Sequence, residues 1–210
     1  MLIPIPQILQ ELQKAGVVAT GAFHIGAHEC EELPFYTGSL GLNADSVVWV
    51  DAIPAKVEEA KAKGIKTIYN AVVTDVDDSP IVFHVSNNVQ SSSVLEFGTH
   101  SKEHPHVVYT SRINAKSVTI DSFFQRNGID ASKCNIWNFD IQGAELMALR
   151  GATKSIKHAH AIYLEVNERE LYKKCGLIGE IDTFLGGHGF KRVLTEMTRH
   201  GWGDALYVRV

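Results

Sequence analysis

The sequence predicts an α/β fold, Rossmann-like, in which helices pack against a mostly parallel sheet. Three observations carry that expectation. Short apolar runs alternate with helix-patterned stretches, the sign of parallel strands joined by crossover helices. The first run stops at Gly26 and two others stop at Asp51 and Asp140, residue types suited to ligand contact at the carboxyl ends of such strands. Finally, 210 residues with 45% hydrophobic and 21% charged side chains describe an ordinary globular chain that builds its core without disulfides or metals.

The elements follow in order. Ile5, Ile8, Leu9 and Leu12, interrupted by Gln7, Gln10, Glu11, Gln13 and Lys14, predict a helix over about 5–15 and not a signal-peptide core. Ala22 to Ile25 is the first strand, and Glu31, Glu32 and Leu33 can begin a helix after the glycine turn. Val47 to Val50 is the second strand, leading into a helix that opens at Pro54 and stops at Gly64. Lys66 to Val73 reads as a third strand, and Ser86 to His106 as a long polar loop, functional or disordered. Asn135 to Ile141 and Ala161 to Val166 are two more strands, the first followed by a helix carrying Leu146, Leu149 and Ala152. After a helix around Ile178 to Leu185 and a break at Gly186, Gly187 and Gly189, the runs Phe190 to Leu194 and Ala205 to Val210 form a hairpin that closes the sheet. Residues 1–210 read as one domain.

Several function classes lose ground on composition. A net charge of -4 with no Lys/Arg cluster gives no attraction to nucleic acid. No apolar run is long enough to span a bilayer. Cys30, Cys134 and Cys175 form no CxxC pair, which argues against a disulfide framework or a thiolate zinc site and fits a reducing, cytoplasmic compartment. His24, His28, His84, His100, His104 and His106 make no HExxH or tight carboxylate cluster, so no metal site is expected.

The candidate site gathers at the strand ends. Small residues after Ile25, namely Gly26 and Ala27, let the backbone approach a ligand, and the lack of GxGxxG weakens a pyrophosphate reading. Asp51, followed by Ala52, is placed to accept hydrogen bonds from both hydroxyls of a ribose, or else to cap the helix after it. Together the two signals favour a nucleoside-containing cofactor. Asn70 and Ala71 close the third strand where an adenine edge can be met, unless Asn70 only starts a turn. Asp140 faces the same crevice and can take a proton or hold a cationic group. Glu145 reads as a first-turn helix acid. Glu165, at the end of the fifth strand, is a second candidate for acceptor contact. His28 is either a base near neutral pH or a plain surface residue.

Three stretches, Phe23 to Leu33, Val48 to Pro54 and Asn135 to Ala152, resemble the FkbM family of S-adenosylmethionine-dependent O-methyltransferases. The most specific part is Phe139-Asp140-Ile141-Gln142-Gly143-Ala144-Glu145 followed by Leu149 to Ala152, and Ser91 to Ser93 match the family's serine-bearing loop. The resemblance implies a class I methyltransferase fold, a seven-stranded sheet flanked by helices with an antiparallel last strand. It implies S-adenosylmethionine as cofactor, S-adenosylhomocysteine as product, and a hydroxyl of a sugar, glycan or small polar molecule as acceptor. Neighbouring glycosyltransferase domains in a longer parent are a further expected partner. Ser92 and Gln142 would then join Ile25, Gly26, Ala27, Asp51, Ala52, Asn70, Ala71 and Asp140 around the cofactor, while Asp140, Glu165 and His28 serve the acceptor. Three departures stand out: His24 where the family usually has Asp, Cys30 where it usually has Gly, and Gln142 where an acid is common. They imply that the cofactor's amino-acid end is held differently here. Two alternatives stay open: a methyltransferase for another small molecule or a peptide, which a more apolar loop than Ser86 to His106 would favour, and a cofactor-binding domain without catalysis, which the departures at His24 and Cys30 encourage.

Overall fold

The computed structural model describes residues 1–210. Helix α1, Ile5–Lys14, buries Ile8 and Leu12. Strand β1, Ala22–Ile25, is buried along its whole length, as befits a strand covered on both faces. His28 and Cys30 take positive φ values of 43° and 59°, so the chain turns first, and the expected helix sets in at Leu33 and continues as a π-helical stretch over Phe35–Ser39.

Strand β2, Val47–Asp51, leads into α2, Pro54–Ala62, with proline in the first turn and Gly64 at φ 93° just past the end. The third predicted run divides. Ile68–Asn70 forms β3 beside β2, whereas Val72–Val73 forms β4 in a different sheet. That second sheet has the order β4-β6-β5, with β5 at Pro80–Ser86 and β6 at Tyr109–Val118. The loop expected between them is folded. Ser93 bridges to His84, α3 spans His100–Glu103, and Phe97 stacks on Tyr109 at 4.0 Å and on His100 at 4.5 Å.

Helix α4, Ile120–Arg126, starts at Thr119, whose hydroxyl accepts from the Ser122 N–H at 3.1 Å. Then come β7 (Ile136–Phe139), α5 (Glu145–Arg150), β8 (Ala161–Asn167), α6 (Ile178–Gly187), β9 (Phe190–Met197) and β10 (Trp202–Arg209). The main sheet has seven strands in the order β3-β2-β1-β7-β8-β10-β9. β10 runs antiparallel to both its neighbours, so the last strand of the chain inserts reversed between β8 and β9. Each face of the sheet carries its own core. Phe23, Val50, Trp137 and Leu164 pack with Phe123, Leu149 and Ile181 on one side. Trp49, Ile136 and Tyr163 pack with Leu12, Val57 and Ala60 on the other. No helix is long and apolar enough to cross a membrane.

Candidate active site

Strand register builds the site. Trp49, His24, Asn138 and Tyr163 stand level across β2, β1, β7 and β8. All four are buried on the face of α1 and α2. His24 stacks on Trp49 at 4.7 Å, and the Tyr36 hydroxyl sits 3.0 Å from both His24 Nδ1 and the Asn138 amide nitrogen. Burial pushes His24 down to about 3, so the ring is neutral. Asn138 donates to the Tyr36 oxygen, which leaves the Tyr36 O–H to donate to His24 Nδ1.

Two residues further along come Asp51 and Glu165, still within β2 and β8, and Gly26 and Asp140, each one residue past the end of β1 and β7. Asp204 of β10 lies opposite Glu165. Side-chain alternation thus turns a buried row into a row of carboxylates with a glycine gap in the middle, at the carboxyl ends of parallel strands.

A cleft of about 290 Å³ opens over that row. Its lining includes the predicted residues Ile25, Gly26, His28, Asp51, Ala52, Ala71, Ser92, Asp140 and Gln142. Ala27, Asn70 and Glu165 do not line it. Ala27 is wholly buried, and the Asn70 side chain donates instead to the Asp51 backbone carbonyl at 2.9 Å. Glu165 stands behind Gln142, 2.9 Å from its amide nitrogen.

Asp51 accepts the Ile53 N–H on Oδ1 and the His28 N–H on Oδ2, each at 2.8 Å. Burial raises its carboxyl above the ordinary range, and the two backbone donors pull the other way. Each oxygen keeps a lone pair for a ligand. Gly26 adopts φ 92°, and a Cβ there would collide with the Asp140 carbonyl oxygen. The glycine is therefore demanded by the approach of β7 as well as by any ligand. His28 Nδ1 lies 2.6 Å from Glu31 Oε1, which leaves its Nε2 for the cleft.

Asp140 is exposed towards the cleft, yet the protein crowded around it raises its carboxyl above the usual range, with Asp204 and Glu31 adding to the effect. Gln142, at φ 55°, donates from one nitrogen to Asp140 Oδ1 at 2.7 Å and to Glu165 Oε2 at 2.9 Å. Its Oε1 accepts the Tyr172 hydroxyl at 2.8 Å, and its backbone carbonyl accepts the Ser93 hydroxyl at 2.9 Å. The amide is engaged by the protein, whereas sequence reasoning assigned it to the cofactor. Glu145, 1% exposed, accepts the Ile141 and Gly143 N–H groups at 3.0 and 3.3 Å and so ties the turn together. Burial, with Asp140 nearby, raises it to about 8, and burial with Asp140 and Glu145 raises Glu165 well above the carboxylate range.

Sequence reasoning missed Glu31, Glu32, Phe83, Val89, Gln90 and Val94, all of which line the cleft. Glu31 stands three residues after His28, a spacing that signals a pair only once the turn is known. Phe83 comes from the second sheet, whose strands carry no apolar run long enough to draw attention. His24 and Cys30, two of the departures noted above, do not line the cleft. Both are buried, and burial raises the Cys30 thiol to about 12.

Comparison with known proteins agrees with this architecture. The methyltransferase FkbM domain model matches residues 24–192. The crystal structure of methyltransferase FkbM from Methylobacillus flagellatus KT superposes with a TM-score of 0.57 at 13% identity, over 90% of this chain and 44% of that one. The chain thus spans less than half the length of that relative. A S-adenosylmethionine-dependent methyltransferase from Aquifex aeolicus matches at TM-score 0.45 and 11% identity, over 100% of this chain and 91% of that one. One from Bacteroides fragilis, in complex with S-adenosyl-L-homocysteine, matches at TM-score 0.43 and 11% identity, over 99% and 83%. No curated protein matches the sequence. The family match covers most of the chain, including Gly26, Asp51, Asp140 and Glu165, and shows that this chain belongs to the FkbM family of S-adenosylmethionine-dependent methyltransferases.

Proposed function

We propose that the protein transfers a methyl group from S-adenosylmethionine to a hydroxyl of a sugar, a glycan or a similar small polar acceptor. The observation that carries the reading is the row Asp51, Gly26, Asp140 at the floor of one cleft. Asp51 has the remaining lone pairs that a ribose diol needs, and Ala52, Ile53, Ala71, Val72 and Val73 supply an apolar slot of adenine character beside it. On the far side of Gly26, Glu31, Glu32 and Asp140 give negative charge suited to an ammonium group. Bound there, the cofactor supplies a methyl group carried on a positively charged sulfur.

Asp140 is the residue we assign to the proton. Its Oδ1 is held by Gln142, so Oδ2 is the oxygen left to accept the acceptor's hydroxyl proton. That transfer accompanies formation of the new oxygen–carbon bond and cleavage of the carbon–sulfur bond, leaving a neutral thioether. The Asp140 carboxyl is raised above the ordinary value, the direction that strengthens a general base. His28, with Nδ1 fixed by Glu31, is placed to bind the acceptor or the cofactor's carboxylate. Gln90 and Ser92 offer polar contacts on the outer wall, and the Phe83 ring offers a surface for the C–H face of a sugar. Val89 and Val94 on the same wall favour, as a second reading, a hydroxyl carried by a partly apolar small molecule.

Calorimetric titration with S-adenosylmethionine and S-adenosylhomocysteine tests the cofactor half. Wild type should bind both, and Asp51→Ala should weaken binding by about tenfold or more, since hydrogen bonds to a charged group contribute about 1.5–3 kcal/mol. No binding to the wild type would overturn the reading. A panel of sugar acceptors then tests the rest, with Asp140→Asn expected to slow turnover by about a hundredfold to ten-thousandfold.

A further inference from the structure

Gln142 sits at a junction that neither cofactor binding nor proton transfer accounts for. Its nitrogen has two hydrogens, directed to Asp140 Oδ1 and Glu165 Oε2, and its oxygen accepts the Tyr172 hydroxyl. In this orientation the amide nitrogen serves both carboxyl groups and the amide oxygen accepts the Tyr172 hydroxyl, which also lies 3.3 Å from the Ser91 carbonyl oxygen. The backbone contributes as well, because the Gln142 carbonyl holds Ser93 of the outer wall at 2.9 Å. Its φ of 55° is a left-handed conformation that residues other than glycine adopt at a cost. Tyr172 is 1% exposed and Glu165 is 7% exposed, so both anchors are fixed by the fold.

From this geometry we propose that Gln142 is a positioning residue. Its neutral amide holds Asp140 and Glu165 as one hydrogen-bonded pair, which aims Asp140 Oδ2 into the cleft and sets the pH at which Asp140 gains its proton. The inference rests on the reading of Asp140 as the base, but its central claim concerns the free protein. An acid at this position would put a third carboxyl between two others. An amide removes that repulsion and adds a donor to each.

The groups around Asp140 are mostly acidic, with the chain's own N-terminal ammonium acting the other way and the His28 imidazole and the neutral Gln142 amide in the same cleft. Glu31 and Glu32 approach from the turn after β1, Gln142 and Glu145 from the β7–α5 segment, Glu165 from β8 and Asp204 from β10. In such surroundings the Gln142 donor favours the charged form of Asp140, and its loss must raise the pH at which Asp140 titrates.

The test is a carboxyl-carbon NMR titration of the free protein, with the Asp140 signal assigned by its disappearance in Asp140→Asn. Gln142→Glu is nearly isosteric and should move the Asp140 midpoint up by about one pH unit or more. Gln142→Met, neutral and of similar length, removes the donor without adding charge and should move it in the same direction by less. A midpoint that stays in place in both folded variants overturns the proposal. The acid limb of kcat, measured on any acceptor that is turned over, should follow the same shift. If the NMR midpoint moves and the limb does not, Gln142 keeps its role and the assignment of Asp140 as base falls.

Discussion

Replacing Glu145 by Gln should make the protein more stable at pH 8 and leave it nearly unchanged at pH 5. Glu145 is 1% exposed and uses Oε1 to hold the N–H groups of Ile141 and Gly143, the turn that carries Asp140 and Gln142. Burial raises its carboxyl from the ordinary 4.5 to about 8, and Asp140 adds to the effect. Between those two values the folded protein keeps a proton that the unfolded chain has already released. The unfolded state therefore binds fewer protons, and stability falls as pH rises. The contribution is complete below about pH 4.5 and is lost progressively as pH climbs through about 8. At about 1.36 kcal/mol per pH unit the ceiling is about 5 kcal/mol. Relaxation around the charged form brings the expected effect to about 2–4 kcal/mol. Gln keeps an oxygen for both N–H groups and places a permanent donor where the proton sits, so it does not titrate. Urea unfolding of both proteins at pH 5, 6, 7 and 8 should show a gap that opens with pH in favour of the variant. Two parallel stability profiles would refute the reasoning, because they would mean that Glu145 carries no linked proton.

Tyr36→Phe should destabilise the protein by about 2–3 kcal/mol, read from the urea midpoint, because it strands a donor on Asn138 and an acceptor on His24 in a dry site. A loss below about 0.5 kcal/mol would show that the hydroxyl is not the partner both groups rely on. Cofactor binding should release protons. Burial raises the Asp140 and Glu32 carboxyls in the free protein, and a bound cation pulls such groups back down. Affinity should then weaken as pH falls. Calorimetry at several pH values from about 4.5 to 6.5, each in two buffers of different ionisation enthalpy, should show net proton release that grows as pH falls, and identical enthalpies in the two buffers at every pH would contradict it.

Much of the frame was legible because the relevant strands are short apolar runs punctuated by glycine, proline and acids. Val47 to Asp51 followed by Pro54 and Gly64 reads correctly almost residue by residue, since each end of α2 carries its own local signal. The second sheet was not legible. In β5 and β6 polar residues such as His84, Arg112 and Asn114 alternate with partly buried ones, and β4 is two residues of a run that looks continuous with β3. Only tertiary pairing reveals that the chain leaves the main sheet after Ala71. In the site, Asp51 and Asp140 were found because they end strands. Glu31 and Phe83 were not, because what brings them to the cleft is a pair of positive φ values in one case and a hairpin in the other. Glu165 lies two residues before the end of β8, yet Gln142 stands between it and the cleft, a distinction that lies in side-chain direction and not in pattern.

The row beneath the cleft bears on the departure at His24. That position lies two residues before Gly26, level with Trp49 and Asn138, and is 2% exposed. What the fold requires there is a flat group that packs on Trp49 and accepts the Tyr36 hydroxyl, which a neutral imidazole does. A ligand in the cleft would meet the next row, where Asp51, Gly26 and Asp140 stand, and no substitution confined to the lower row removes a cleft carboxylate. The departure at Cys30 has the same character, since its thiol is buried and pushed up to about 12, far from reacting as a thiolate. Gln142 alone among the three departures lines the cleft, and there its amide nitrogen donates to both Asp140 and Glu165. His24 and Cys30 stand outside the cleft lining, and Gln142 keeps a hydrogen bond to Asp140, so the three departures are compatible with the transfer reaction proposed above.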